Sequence, residues 1–407
     1  MSMNDTPSGD RVHISLFGKR NAGKSSLMNA LTGQRISIVS EVKGTTTDPV
    51  RKAMELLPMG PVVVTDTPGL DDDGQLGHFR MEKSYQVLDK TDIGVVVIDA
   101  SIGMEAEDQQ IIERIQEKGI PYVVVYNKQD LMRTSMSEPI DVDALLERRN
   151  RGEEISIRVS TVNQYHIHEL KELLSRMQPE QVSEIPLIAD LVHENDLVVL
   201  VVPIDKAAPK GRLILPQQQT IRELLDVGAV AVVTREKELS QTLKRLEKSP
   251  VLVVTDSQVF KEVAGIVPEE VPLTSFSILF ARHKGILKDA VQGVKQLRNL
   301  KDGDTILIAE GCTHHRQCGD IGTEKLPRWI QEVNDGKSLY FEFCSGTEFP
   351  QDLSGYALII QCGSCMLTEQ EVKTRYKKAK QQGIPMTNYG IAISEMKGIL
   401  DRSIACL

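Results

Sequence analysis

Short apolar segments alternate with amphipathic ones over the first 180 residues of the chain. The apolar segments have the length of β-strands and lie at Val12–Phe17, Val62–Thr65, Ile93–Ile98, Tyr122–Tyr126 and Ile155–Val159. The residues between them include predicted helices at Ser25–Leu31 and Glu107–Glu117. Strands that are apolar on both faces are typical of a mostly parallel sheet with helices on each side. The pattern therefore predicts an α/β domain over residues 1–180.

A second block, residues 181–264, repeats the α/β pattern on a smaller scale. Its three strand-sized segments are rich in valine and lie at Leu197–Val202, Ala229–Val233 and Val251–Thr255. A core built on three strands is thin, and pairing with a second copy would help to bury the apolar faces. We therefore expect this block to be a small dimerisation domain and the protein to be a homodimer.

The last block, residues 265–407, is also α/β in pattern. Its predicted strands lie at Thr305–Ala309, Leu339–Phe343, Ala357–Gln361 and Pro385–Asn388. The predicted fold class is thus α/β with three domains, of which the first has a mostly parallel sheet.

Charge and composition narrow the possible functions. The 48 Lys and Arg residues against 57 Asp and Glu residues give a formal net charge of −9, whereas proteins that grip nucleic acid usually carry excess basic charge. This argues against nucleic acid as the main partner. No apolar run is long enough to cross a membrane, and the N-terminal residues lack a basic region followed by an apolar stretch. We therefore expect a cytoplasmic protein without a membrane partner.

The segment Gly18–Ser25 fits the phosphate-binding pattern G-x-x-x-x-G-K-[ST] between a predicted strand and a predicted helix. In this context backbone N–H groups and the helix N-terminus cradle phosphate oxygens. Lys24 would reach the β- and γ-phosphates, and the Ser25 hydroxyl would bind Mg²⁺. The predicted phosphate-binding residues are Gly18, Asn21, Ala22, Gly23, Lys24, Ser25 and Ser26.

A second motif, Asp66-Thr67-Pro68-Gly69, closes a predicted strand. At this place Asp66 would bind Mg²⁺, and the Gly69 amide would sense the γ-phosphate.

Guanine specificity is indicated by Asn127-Lys128-Gln129-Asp130, an N-K-x-D pattern that closes another strand. The Asp130 carboxylate can accept hydrogen bonds from both N1–H and N2–H₂ of guanine, a donor pair that adenine lacks. Asn127 and Lys128 would brace the loop and the ring. Ser160 and Thr161 follow the fifth strand, where a backbone amide can reach guanine O6. Together these motifs predict a GTPase that binds GTP or GDP.

The segment Gly44–Asp48 resembles the G-T-T-x-D switch I of the GTPases typified by the tRNA-modifying GTPase MnmE and by Era. That resemblance implies that Thr46 closes on Mg²⁺ and that Asn21 binds K⁺, which would replace an arginine finger. Leu70 stands where Ras-like proteins have a water-orienting Gln. The predicted catalytic residues are Lys24, Thr46, Asp66 and Gly69, and hydrolysis should be slow and regulatory.

All six cysteines lie after residue 311. Cys312 and His314 follow one predicted strand, and Cys362 and Cys365 form a C-x-x-C after another. In a reducing compartment such a group is more often a metal or redox site than a set of disulfides. The spacing alone leaves four interpretations open: a structural zinc site of the Cys₃His type, an iron–sulfur cluster, a redox pair, or unrelated buried cysteines.

The combination of a GTPase domain, a small middle domain and C-x-H followed by C-x-x-C resembles the HydF family of FeFe-hydrogenase maturation GTPases. The resemblance covers the whole chain, and it makes residues 265–407 a cluster-binding domain. It implies a 4Fe-4S cluster on Cys312, Cys362 and Cys365 with one iron left for an exchangeable ligand. His314 would be the fourth ligand or an outer-shell contact.

The same resemblance implies a scaffold that assembles the precursor of the hydrogenase di-iron subcluster. Two radical-SAM maturases would load it, and apo FeFe-hydrogenase would receive the product. Many members of the family carry His before the C-x-x-C, whereas this chain has Gln361, a poor iron ligand. Cys318, Cys344 and Cys406 are interpreted as non-ligands.

The competing hypothesis is an RNA-directed GTPase, in tRNA modification or ribosome assembly, with a structural zinc site. The switch I pattern favours it, and the net charge of −9 opposes it.

Overall fold

The computed structural model describes residues 11–33, 49–69, 83–132, 139–177, 185–204, 213–311, 320–346 and 348–407. The chain divides into two compact units, Met1–Val182 and Ser183–Leu407.

The first unit contains a six-stranded sheet. Its strands are β1 (Val12–Phe17), β2 (Val50–Leu56), β3 (Gly60–Asp66), β4 (Ile93–Asp99), β5 (Tyr122–Asn127) and β6 (Ser156–Arg158). The order is β2-β3-β1-β4-β5-β6, and every neighbouring pair is parallel except β2 with β3. The predicted mostly parallel sheet is confirmed. β2 was not predicted from the sequence, because this edge strand mixes charged and apolar residues instead of forming an apolar run.

Apolar side chains cover both faces of this sheet. Alternate residues of β4 enter two different cores, Val95 and Val97 on one side and Val96 and Ile98 on the other. The helices of the unit are α1 (Lys24–Thr32), α2 (Ala106–Glu117), α3 (Val142–Asn150) and α4 (Ile167–Arg176), and residues 83–88 are also helical. Because the parallel strands end at one edge, the loops that follow β1, β3, β4, β5 and β6 meet there.

The second unit begins with a four-stranded parallel sheet. Its strands are β7 (Leu197–Val201), β8 (Val230–Thr234), β9 (Leu252–Thr255) and β10 (Leu273–Ser275), in the order β10-β9-β7-β8. Three of these strands were predicted. The fourth, β10, is only three residues long, too short to stand out as an apolar run, and it lies past the domain boundary predicted at residue 264.

Another four-stranded parallel sheet follows in the same unit. It contains β11 (Thr305–Glu310), β12 (Tyr340–Ser345), β13 (Leu358–Gln361) and β14 (Met386–Asn388), in the order β12-β11-β13-β14. One continuous apolar cluster joins the two sheets, because it includes Val199 and Val253 of the first together with Ile308 and Ile359 of the second. This shared core explains why the two sheets form a single compact unit.

The helices of the second unit surround these sheets. They are α5 (Leu215–Asp226), α6 (Leu239–Arg245), α7 (Phe260–Ile266), α8 (Phe276–His283), α9 (Leu287–Val294), α10 (Leu326–Val333), α11 (Glu369–Gln381), α12 (Tyr389–Met396) and α13 (Leu400–Ile404). Within the described ranges, no helix has the length and apolar character needed to cross a membrane.

Candidate functional site

Two glycines of the phosphate-binding pattern have conformations and surroundings that other residues would not tolerate. Gly18 has φ +138°, and a Cβ atom there would lie 2.2 Å from the carbonyl oxygen of Val97. Gly23 has φ +92°, and its Cβ would lie 2.1 Å from Nδ2 of Asn127. The loop after β1 therefore packs closely against β4 and the end of β5, and only glycine permits this approach.

Lys24, the first residue of α1, is buried and directs its ammonium group into this loop. Its Nζ donates hydrogen bonds to the carbonyl oxygens of Gly18 and Lys19, each at 2.7 Å. A positive charge next to the N-terminus of α1 is suited to phosphate oxygens, which can replace these carbonyl groups.

Ser25 and Asp66 meet beside the same loop. The Ser25 hydroxyl donates to Oδ2 of Asp66 at 2.5 Å, and the buried Oδ1 of Asp66 has no hydrogen-bond partner among the residues that the structure describes. Burial raises the pKa of Asp66, although the Ser25 hydrogen bond and the charge of Lys24 oppose this shift. A hydroxyl group beside a carboxylate oxygen without a partner fits Mg²⁺, which prefers oxygen ligands and would supply the missing charge.

The loops after β5 and β6 are tied together at the predicted guanine site. The Ser160 hydroxyl donates to Oδ1 of Asp130 at 2.5 Å. The side chain of Asn127 donates through Nδ2 to the carbonyl oxygen of Ala22 at 3.1 Å, which links this site to the phosphate loop. Lys128 has φ +64°, and its Nζ lies 2.6 Å from Oδ2 of Asp99.

The structure thus brings together predicted residues from four separate motifs. Asp99 and the side chain of Ser160 were not identified from the sequence; the available signal for Asp99 was an acidic residue at the end of a buried strand. Ser26 is exposed at the start of α1, and Gly69 and Thr161 are half-buried. Asn21 has a left-handed backbone conformation with φ +63°. Thr46 and Leu70 lie outside the described residues.

A second candidate site lies at the carboxyl edge of the sheet β12-β11-β13-β14. Cys362 directly follows β13, and its Sγ accepts hydrogen bonds from the backbone N–H groups of Gly311 at 3.0 Å and Ser364 at 3.4 Å. Gly311 follows β11 and is the residue before Cys312. The fold therefore brings the end of β11, where Cys312 continues the chain, next to Cys362.

The environment of Cys362 suits a metal-bound thiolate. Burial raises the pKa of the Cys362 thiol, and the two N–H donors oppose this shift. N–H groups directed at a sulfur atom are typical of iron–sulfur ligands, and a bound cation would offset the cost of burying the thiolate. Cys362 thus fits a cluster ligand. Over the described part of the chain, no three His, Cys, Asp or Glu residues form a group that could hold a metal ion. Cys312, His314 and Cys318 lie outside that part.

The remaining cysteines differ in their surroundings. Cys365 and Cys406 are partly buried and pack against the apolar cluster formed by β7, β9 and α8. Cys344 lies in β12, where burial raises the pKa of its thiol to about 11.

Buried polar side chains surround the loop that carries Cys362 and Cys365. The Nζ of Lys284 donates to the carbonyl oxygens of Ser364 at 2.9 Å and Leu367 at 2.5 Å. On the neighbouring side, the guanidinium of Arg375 donates to Oε1 of Gln361 at 3.4 Å, while the buried Nε2 of Gln361 has no hydrogen-bond partner within the described ranges. Lys284 and Arg375 were not identified from the sequence, because neither belongs to a motif and each reaches the loop only through the tertiary fold.

Comparisons with known proteins match three separate regions of the chain to family models. A hydrogen maturase F dimerization domain model matches residues 187–285, and a hydrogen maturase F tetramerization domain model matches residues 288–406. A model described as a 50S ribosome-binding GTPase matches residues 13–128. The first unit is therefore a GTPase domain, as the sequence predicted, and the predicted organisation into three α/β domains is confirmed.

Curated relatives resemble only part of the chain. GTPase Der from Kosmotoga olearia is 33% identical over 136 residues, which cover 32% of this chain and 30% of Der. The tRNA modification GTPase MnmE from Chromobacterium violaceum is 40% identical over 121 residues, which cover 30% of this chain and 26% of MnmE. The chain thus spans less than one third of the length of either relative.

A crystal structure of Era from Aquifex aeolicus bound to GDP and aluminium fluoride covers 58% of this chain and 98% of Era, with 20% sequence identity and a TM-score of 0.35.

The two hydrogen maturase F models determine the family of this chain, because together they match more than half of it and follow its GTPase domain. The chain therefore belongs to the hydrogen maturase F family, HydF.

Proposed function

We propose that this protein is a cytoplasmic, GTP-hydrolysing scaffold that assembles the di-iron subcluster precursor and delivers it to apo FeFe-hydrogenase. A resident 4Fe-4S cluster on Cys312, Cys362 and Cys365 would hold the cargo, and His314 would be its fourth ligand or an outer-shell contact. The observation that carries the proposal is the sulfur of the half-buried Cys362, which accepts two backbone N–H hydrogen bonds beside the end of β11. Membership in the hydrogen maturase F family supports the same function.

The nucleotide site can bind and orient GTP with the residues described above. Lys24 would exchange its hydrogen bonds to two carbonyl groups for bonds to the β- and γ-phosphates. Ser25 and Asp66 would hold Mg²⁺, and the Gly69 amide would contact the γ-phosphate. Asp130, fixed by Ser160, would accept the two guanine donors. Thr46 and a K⁺ ion on Asn21 would complete the site during hydrolysis.

The cysteine site needs residues that keep its sulfur atoms in place. When bound, the cluster would supply an iron atom that is open to a ligand of the cargo. Gly311 and Ser364 donate their N–H groups to the Cys362 sulfur, which disperses negative charge on that atom. The guanidinium group of Arg375 donates a hydrogen bond to Oε1 of the buried Gln361 and so holds this side chain in place. Loading would require contact with the radical-SAM maturases, and delivery would require contact with the apo-hydrogenase.

The homodimer is proposed to form through the sheet β10-β9-β7-β8. β8 is an outer strand of that sheet, and its Val230 and Val233 side chains are 47% and 48% exposed. The match to a dimerization domain supports this assignment. Replacing both valines by lysine should shift the protein toward the monomer in analytical ultracentrifugation, because charged side chains on an edge strand oppose pairing.

The RNA-directed GTPase remains the second candidate, and the match of residues 13–128 to a ribosome-binding GTPase family favours it. The test is anaerobic purification with iron, sulfide and zinc analysis, followed by activation of apo FeFe-hydrogenase made without its maturation proteins. We expect about four irons per chain and activation by protein that was expressed with the radical-SAM maturases. A colourless protein with one zinc ion per chain and no activation would favour the RNA-directed GTPase.

A further inference from the structure

A buried lysine from outside the cysteine motifs contacts the loop that joins Cys362 to Cys365. Lys284 follows α8 and is 4% exposed. Its Nζ donates to the Ser364 carbonyl, which belongs to the peptide bond between Ser364 and Cys365, and to the Leu367 carbonyl two residues after Cys365. The ammonium group thus bridges the backbone on both sides of Cys365.

The contacted loop has a conformation that needs support. Ser364 has φ +58°, a left-handed conformation that is unfavourable for a residue other than glycine. This conformation allows the Ser364 N–H group to donate to the Cys362 sulfur, and the Ser364 carbonyl also accepts from the N–H of Leu367. Lys284 therefore stabilises the same turn that directs a donor at Cys362.

The contact also connects the two regions matched by the hydrogen maturase F models. Lys284 falls in the match to the dimerization domain, and the cysteine loop falls in the match to the tetramerization domain. Burying an ammonium group is costly unless nearby groups stabilise its charge, and the carbonyl oxygens of Ser364 and Leu367 contribute to that stabilisation. An anionic group held by Cys362 and Cys365 would add to that stabilisation, because electrostatic interactions are strong where water is excluded.

We infer that Lys284 is a positioning residue for the cluster-binding loop and that its charge raises the reduction potential of the cluster. The inference rests on the proposed function. Lys284 holds the carbonyl groups of Ser364 and Leu367, so that Cys362 and Cys365 present their sulfur atoms to one cluster. A nearby positive charge favours the more negative, reduced cluster.

Four variants separate charge from hydrogen bonding. Lys284→Met removes both, Lys284→Gln keeps a donor without the charge, and Lys284→Arg keeps both. Lys288→Met is the matched control, because Lys288 is an exposed lysine of the adjacent helix α9. Each full-length protein is reconstituted anaerobically, and its iron content and its potential in an EPR-monitored redox titration are measured.

The cluster should be harder to reduce in Lys284→Met and in Lys284→Gln. Its reduction potential should be about 59 mV more negative, which corresponds to a tenfold change in the one-electron equilibrium. Lys284→Met should also retain less iron than Lys284→Gln, while Lys284→Arg and Lys288→Met should match the unaltered protein. Unchanged potentials in both neutral variants would overturn the inference. Failure of both apoproteins to fold would also overturn it, because Lys284 would then be a residue of the structural core. An unaltered protein without a cluster would overturn the proposed function, and this inference with it.

Discussion

The hydroxyl group of Ser160 donates to Oδ1 of Asp130 at a distance of 2.5 Å. Ser160 is fully buried after β6, and Asp130 lies after β5, so the bond joins two loops of the nucleotide site. A carboxylate that must accept two guanine donors has to keep one orientation. The hydrogen bond from Ser160 supplies that constraint from the side chain, in addition to the backbone contact with guanine expected from the sequence.

Replacing Ser160 by alanine should therefore weaken GTP binding about tenfold, which corresponds to about 1.4 kcal/mol for a hydrogen bond to a charged group. Isothermal titration calorimetry with GTP and GDP measures the change in affinity. Ser156→Ala is the control, because Ser156 is exposed on β6. Asp130→Asn should relax the preference for guanine nucleotides. An unchanged GTP affinity of Ser160→Ala would show that Asp130 needs no support from this hydroxyl.

Gly23 and Gly33 cap the two ends of α1 and offer a matched pair of substitutions. Both have left-handed backbones, but a Cβ at Gly23 would lie 2.1 Å from Nδ2 of Asn127, whereas a Cβ at Gly33 would have no atom of the described residues within 4 Å. Gly33→Ala should cost about 1–2 kcal/mol of unfolding free energy through backbone strain alone. Gly23→Ala should cost more and should also abolish GTP binding, because Asn127 must move. Equal melting temperatures and equal GTP affinities of the two variants would contradict the close packing.

The local motifs of this chain could be predicted because each is read from neighbouring residues. The bounds of β1 were predicted without error because its side chains are buried on both faces and form one apolar run. β2 was missed because it is the outer strand in the order of described strands and its side chains alternate between buried and exposed positions instead of forming an apolar run. The three-residue strand β10 carries too little pattern to be recognised from sequence.

Contacts between distant parts of the chain could not be predicted in the same way. The bond between Lys128 and Asp99 and the bond between Lys284 and Ser364 join residues that are 29 and 80 positions apart. No local pattern indicates which lysine will meet which acceptor, because the partners come together only when the sheets form. The motifs therefore indicated the chemistry of both sites, and the fold reveals the side chains that support them.

Asp66 should make the stability of the nucleotide-free protein depend on pH. Burial raises the pKa of Asp66 in the folded state, so its protonated form is favoured there. The contribution of Asp66 to the free energy of unfolding should therefore fall as the pH rises from the ordinary pKa of Asp through the raised pKa of the folded state.

Asp66→Asn should remove that pH dependence and raise the melting temperature at pH 7, while it abolishes stabilisation by Mg²⁺ and GDP. Asp99→Asn is the control of opposite sign, because it deprives Lys128 of its partner and should lower the melting temperature. A lower melting temperature for Asp66→Asn would contradict this account.

GTP hydrolysis should be about tenfold faster in K⁺ than in Na⁺ at equal ionic strength, because a bound cation offsets the negative charge that develops on the phosphates. Asn21 is the expected ligand and has φ +63°. Asn21→Gly keeps that backbone conformation and removes the side-chain oxygen, so the two salts should give equal rates. The rate of phosphate release from GTP is measured for both proteins in each salt. Equal rates of the unaltered protein in K⁺ and Na⁺ would refute a cation-assisted site.

The cysteines should separate into ligands and non-ligands when each is replaced by alanine. Cys362→Ala should remove the brown colour and the broad absorbance near about 400 nm that thiolate-bound iron gives, because the sulfur with two N–H donors is lost. Cys312→Ala and Cys365→Ala should behave alike. Cys344→Ala is the matched control, since burial raises the pKa of that thiol to about 11 and it should stay protonated. GTP hydrolysis should survive in every variant, because the nucleotide site lies in the other compact unit. Full absorbance in Cys362→Ala would exclude Cys362 as a ligand.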